Sequence, residues 1–135
     1  MKQIIFILLL SVFFSACNDT AKQFKEKNAV ADSIAINFFK AGGKMDTVTA
    51  VKIIRDKKTI DEIAGMIAAS SASIKDKCTF DGSIHFFKSD RVIQDVFFNS
   101  SSKECRQFQF RLNGHHAATE LDDNARDYLS VLKNK

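Results

Sequence analysis

The period of the apolar positions changes along the chain, and each change marks a new element. Residues 4–14 (IIFILLLSVFF) form one apolar run broken only by Ser11, and residues 18–27 are polar around Phe24. From there to Lys40 two patterns compete. Phe24, Ala31, Ile34, Ala35 and Phe38 recur at helical spacing with Gly42-Gly43 as a C-terminal stop; Ile34, Ile36 and Phe38 also alternate as in a strand, with the glycines as a hairpin turn. The frequent alanines and the length of the pattern favour the helix. Residues 47–55 (TVTAVKIIR) are rich in β-branched side chains and predict a strand. Thr59-Ile60-Asp61-Glu62 then matches a capping box, and Ile60, Ile63, Ala64 and Ile67 form one apolar stripe before a serine cluster at residues 70–73.

Beyond residue 77 the period becomes two. The even positions carry Phe80, Ile84 and Phe86, then Val92, Val96 and Phe98, then Phe108, Phe110 and Leu112. Strands over 78–88, 91–98 and 104–112 follow, with turns at 88–90 and 99–103. Asn113-Gly114 is a strong hairpin signal, because both positions of a type I′ turn need positive φ, and a short strand over 115–118 folds back. Leu121, Ala125, Tyr128, Leu129 and Leu132 mark a closing amphipathic helix. This order predicts an α+β fold: an antiparallel sheet of about four to five strands with two or three helices packed on its even face.

The start of the chain carries a different message. Lys2 is the only charge before Cys17, and the apolar run is too short to span a bilayer, which takes about 20 residues. A basic start, a short apolar core and small residues before a cut are the pattern of a secretory signal peptide. Phe14-Ser15-Ala16-Cys17 resembles a bacterial lipobox, with Phe14 where Leu is usual. The resemblance to bacterial lipoproteins covers only these seventeen residues. It implies cleavage after residue 16 and acylation of Cys17, hence a membrane partner through a lipid anchor. Asn18, rather than Asp, resembles the signal for the outer membrane. The division expected is a signal peptide over 1–16, a polar tether over 17–28 and one α+β domain over 29–135.

Cleavage leaves 119 of the 135 residues, a usual size for one domain. It removes Lys2 from 20 basic residues and leaves the 16 acidic ones, so the net charge is mild. The lysines are scattered and the signs alternate, which reads as a solvated surface and not as a nucleic-acid partner. With Cys17 acylated, Cys78 and Cys105 remain as an even pair, and in an oxidising compartment they are expected to form a disulfide. Their predicted places and opposite parity argue against it: the meander puts one strand between them, about 9.6 Å, whereas a bridge needs Cα atoms within about 7 Å. Both cysteines fall at one end of the sheet, where chains converge.

The odd face of the three strands reads Asp81, Ser83, His85 and Phe87; Ile93, Asp95 and Phe97; Cys105, Gln107, Gln109 and Arg111. In the expected register His85, Ile93 and Arg111 share one row, and Ser83, Asp95 and Gln109 the next. One reading is a solvated face whose phenylalanines are partly covered by a loop or helix. The other is a binding face for an envelope partner, with Phe87 and Phe97 as anchors and His85, Asp95, Gln109 and Arg111 as polar specifiers. Ser83, His85 and Asp95 have the residue types of a catalytic triad, but they lie on flat strands without an elbow turn and are read as a coincidence of common types. His115-His116 point to opposite faces of a hairpin, so no metal is expected, and no cofactor motif is present. The expected function is a lipid-anchored, non-enzymatic envelope protein that binds or supports a partner. The alternative is a small envelope enzyme or inhibitor-type domain that uses the same face.

Overall fold

The structure is a computed structural model and describes residues 19–41 and 44–135. The expected signal peptide over 1–16, Cys17, Asn18 and Gly42-Gly43 lie outside the described residues. The element order is α1 (Asp19–Asn28), β1 (Ser33–Lys40), β2 (Lys44–Ile54), α2 (Lys57–Ile67), β3 (Gly82–Lys88), β4 (Arg91–Asn99), β5 (Gln107–Leu112), β6 (His115–Glu120) and α3 (Asp123–Asn134). The strands form one antiparallel sheet in the order β2-β1-β3-β4-β5-β6. The α+β class is as expected, with six strands where four to five were predicted.

Residues 33–40, expected to be helical, form strand β1. It lies between β2 and β3 and satisfies its backbone on both sides. Its alternation puts Ile34, Ile36 and Phe38 into the core. The helical spacing that began at Phe24 joins two elements. Phe24 belongs to α1, which replaces the expected polar tether from Asp19 onward. A ten-residue polar helix is not stable alone. This one is held by Phe24, which is fully buried between Phe86 (ring centroids 5.8 Å apart) and Phe110 (4.7 Å).

Helix α2 starts earlier than the Thr59 capping box suggests. Asp56 is the N-cap, and its carboxylate accepts from the backbone N–H of Thr59 at 2.9 Å and from its hydroxyl at 2.6 Å. Those bonds, the hydroxyl first, hold the Asp56 carboxyl below its usual pKa. Asp122 caps α3 in the same way through Ala125 N–H. The helices, with Leu121 just before α3, bring Phe24, Ile60, Ile63, Ile67, Ala125 and Leu129 onto the even face of the sheet, against Ile84, Phe86, Val96, Phe98, Phe108 and Phe110.

Two even positions break the expected pattern. A bulge between Phe86 and Phe87 shifts the pairing from Phe86↔Gln94 to Phe87↔Val92, so Val92 turns outward and is half exposed. Phe80 precedes the strand, which starts at Gly82, and its ring packs on Phe97 of the odd face at 5.2 Å. The Asn113-Gly114 turn is present with positive φ at both residues, and the turn expected over 88–90 is one residue tighter, with positive φ at Ser89 and Asp90 and Lys88 already paired with Arg91.

Two glycines give opposite expectations for one substitution. A Cβ on Gly82 would lie 2.4 Å from the Asn37 carbonyl oxygen and 2.4 Å from the Phe98 ring, so Gly82→Ala is expected to cost about 1–3 kcal/mol by overpacking. Gly65 in α2 has open space at that position, and Gly65→Ala is expected to add about 0.5–1 kcal/mol through helix propensity. Urea midpoints moving in the same direction would contradict this assignment.

The Cys78–Cys105 disulfide is formed, with Cα atoms 5.7 Å apart. The objection from strand spacing fails because neither cysteine lies in a strand: β3 begins at Gly82 and β5 at Gln107. The two loops converge beyond the sheet end.

Candidate functional site

The odd face is open over its middle and covered at one end. After α2 the chain runs along β6, where Ala72 N–H donates to Ala118 O, and then crosses β5. Two buried glutamines hold that crossing. Gln107 accepts from Lys75 N–H at 3.0 Å and donates to Ser73 O at 3.0 Å, and Gln109 donates to Gln107 at 2.5 Å. Asp81 is occupied with the β4–β5 loop, accepting from the backbone N–H groups of Ser100 and Ser101. Of the two phenylalanines of this face, Phe97 is partly covered by Phe80 from the loop before β3, and Gln109 is a structural group more than a free specifier.

The register differs from the expected one by two residues on β4, since the bulge and the tight Ser89–Asp90 turn reset the pairing. Asp95, not Ile93, lies opposite His85, and Phe97 lies between Ser83 and Gln109. His85 Nδ1 is 2.5 Å from Asp95 Oδ1, and His85 Nε2 is 2.9 Å from Ser83 Oγ. Asn37 Nδ2 donates to the same hydroxyl at 3.3 Å. With the carboxylate accepting, Nδ1 carries a proton, and in the neutral ring Nε2 accepts from the serine. The three residues read as a coincidence in the sequence are therefore one hydrogen-bonded relay.

Its burial runs opposite to that of a hydrolase triad. Catalysis needs an exposed serine and a buried acid; here Ser83 is 2% exposed and the Asp95 side chain 55%. Ser83 sits in an inner strand paired on both sides, so its backbone is committed to the ladders and supplies no oxyanion donors. The arrangement orients His85 and Asp95. A fluorophosphonate probe is expected to leave Ser83 unlabelled; labelling lost in Ser83→Ala would restore the enzyme reading.

Beside the relay lies a cleft of about 490 Å³, lined by Phe80, Ile93, Phe97, Gln109, Asp95, Arg111, His116, Val92, Gln94, Phe110 and Lys27. It forms where β4 and β5 part. Their register runs only from Val96 to Asn99 on β4. Next to it the Gln94 amide donates to Arg111 O at 2.9 Å and to Asp95 O at 3.1 Å. A side chain thus stands between the strands where the ladder stops. The cleft gathers four of the six expected face residues: Asp95, Phe97, Gln109 and Arg111. His85 adjoins it through Asp95. Phe87 lies apart, opposite Ser33 and Val92. Lys27, Phe80 and His116 were not expected there. Lys27 arrives on α1, and His116 on β6 opposite Arg111.

His115 pairs with Leu112 and His116 with Arg111, so the two histidines occupy opposite faces. Among the described residues no three His, Cys, Asp or Glu groups gather as a metal site, and no helix is long and apolar enough to cross a membrane. No family model matches the chain, and no curated protein or solved structure matches it.

Proposed function

We propose that this chain is a lipid-anchored cell-envelope protein whose single domain binds through the open sheet face without catalysis. The observation that carries the binding half is the cleft at the β4–β5 divergence, with apolar walls and charged groups beside an oriented His85–Asp95 pair. The burial of Ser83 weighs against the hydrolase alternative. The anchoring half rests on Phe14-Ser15-Ala16-Cys17 after the apolar run. A diacylglyceryl cysteine carries at least two chains, and two hold a protein stably at a bilayer where one does not.

The start of α1 at Asp19 sharpens this reading. Two residues reach about 7 Å when fully extended, so an acylated Cys17 holds the domain against the bilayer surface and not out on a stalk. Cys17→Ser is expected to move the protein from the membrane to the soluble fraction and to abolish fatty-acid labelling. Mature-length Cys17→Ser protein that stays with the membrane would sink the anchor. A Phe87→Ala/Phe97→Ala double variant that stays folded and keeps every envelope interaction would sink the binding face.

A further inference from the structure

We infer that the cleft is a binding site for a small amphipathic anion: an apolar ring or short chain ending in a single carboxylate, sulfonate or phosphate. The inference rests on the binding-face reading above and names the ligand class. Three observations carry it. The cleft volume of about 490 Å³ lies in the range of small-molecule sites, roughly 300–1,000 Å³. One side of it is apolar: Phe80 and Phe97, with ring centroids 5.2 Å apart, and the half-buried Ile93.

The third observation is charge. Among the described residues the Arg111 guanidinium and the Lys27 ammonium make no ion pair or side-chain hydrogen bond, whereas Arg106 and Arg126 pair with Asp123 and Asp127. Both line this cleft. Its one acid, Asp95, is already taken by His85 at 2.5 Å and forms no ion pair with Arg111. The relay therefore has a consequence for the ligand. By holding the Asp95 carboxylate toward His85, it leaves Arg111 with a free fork of donors, the geometry that suits a carboxylate or phosphate. An apolar wall with two unpaired cations at its rim, against the single Asp95 carboxylate, selects a ligand with the complementary halves.

The test uses 2-naphthoate with the full chain in phosphatidylcholine nanodiscs, read by fluorescence anisotropy against empty nanodiscs; the chain has no Trp to interfere. Saturable binding is expected, with no binding of the cation 2-naphthylmethylammonium and no competition by acetate, which lacks the apolar half. Arg111→Gln should weaken binding about ten-fold, as loss of a charged hydrogen bond does; Lys27→Gln should weaken it less, and Asp95→Asn should tighten it. Lys58→Gln, on α2 away from the cleft, should change nothing. Competition by phosphatidylglycerol added to the nanodiscs would assign the same chemistry to a lipid; its absence would assign it to a soluble anion. Equal binding of the ammonium analogue, or full binding by folded Arg111→Gln, overturns the proposal. If naphthoate fails while envelope interactions still depend on Phe97, the anion is wrong and the binding face stands; if both fail, the face is wrong.

Discussion

Phe24→Ala is expected to destabilise the fold by about 3–5 kcal/mol, the usual cost of truncating a fully buried aromatic side chain. Phe24 has no exposed surface, and its ring touches Phe86 from β3 and Phe110 from β5. The cavity would open between two strands and a helix, where neighbours cannot collapse without moving backbone. Helix α1 has no other large apolar side chain, and its Asn28 amide donates back to Phe24 O. Losing the ring therefore releases the helix as well as leaving a void. The measurement is a urea titration followed by circular dichroism. The midpoint should fall by about 2 M, since slopes for small proteins are about 1–3 kcal/mol per M. A flexible tether over 17–28 would give no shift, so an unchanged midpoint would return that segment to the role the sequence suggested. The effect also reaches the cleft, because Lys27 is carried there by the last turn of α1.

The strands of the β3–β5 meander were legible because alternation is the local signature of a half-buried strand. The Asn113-Gly114 turn was legible because its backbone conformation restricts which residues fit. Between Phe24 and Lys40 the same code misled. One phenylalanine in a polar decapeptide carries too little periodicity to mark a helix, and its distance to Ala31 and Ile34 matched helical spacing by accident. The site was harder to read for a different reason. A single-residue bulge at Phe86/Phe87 changes which β4 residue faces His85, and nothing in the composition of Arg91–Gln94 announces a bulge. The His85–Asp95 pair therefore surfaced only in three dimensions, although both residues had been placed on the right face. Arg111 and Phe97 were placed on that face by parity alone. Phe80 was lost by extending that parity past Gly82, where the strand begins, and Lys27 because it comes from an element that was read as a spacer.

The Cys78→Ser/Cys105→Ser double variant is expected to lose about 3–4 kcal/mol by the chain-entropy estimate for a loop of this length, the two cysteines being 27 residues apart. For a domain of this size that lowers Tm by about 10–15 °C. The bridge closes the stretch holding β3 and β4, so without it the unfolded chain regains freedom while the sheet keeps its own hydrogen bonds. Alkylation of protein taken from envelopes, with and without reductant, checks the premise: two thiols modified without reduction would remove the bridge and the prediction with it. The folded state should change locally too. Cys78 lies two residues from Phe80, and Cys105 two from Gln107, whose amide holds Ser73 and Lys75 over β5. Lys75 also reaches across to the backbone carbonyl of Glu104, tying the same two loops together. Without the disulfide the crossing segment is held by hydrogen bonds, these together with Ala72 N–H to Ala118 O and the Asn99 amide to Thr79 O, and Phe80 becomes the loosest wall of the cleft. Hydrogen exchange should accelerate over residues 73–81 more than in β3 or β4, and 2-naphthoate affinity should fall even where the variant is still folded. Affinity retained in full beside faster exchange would show that Phe97 and Ile93 supply the apolar half of the site without Phe80.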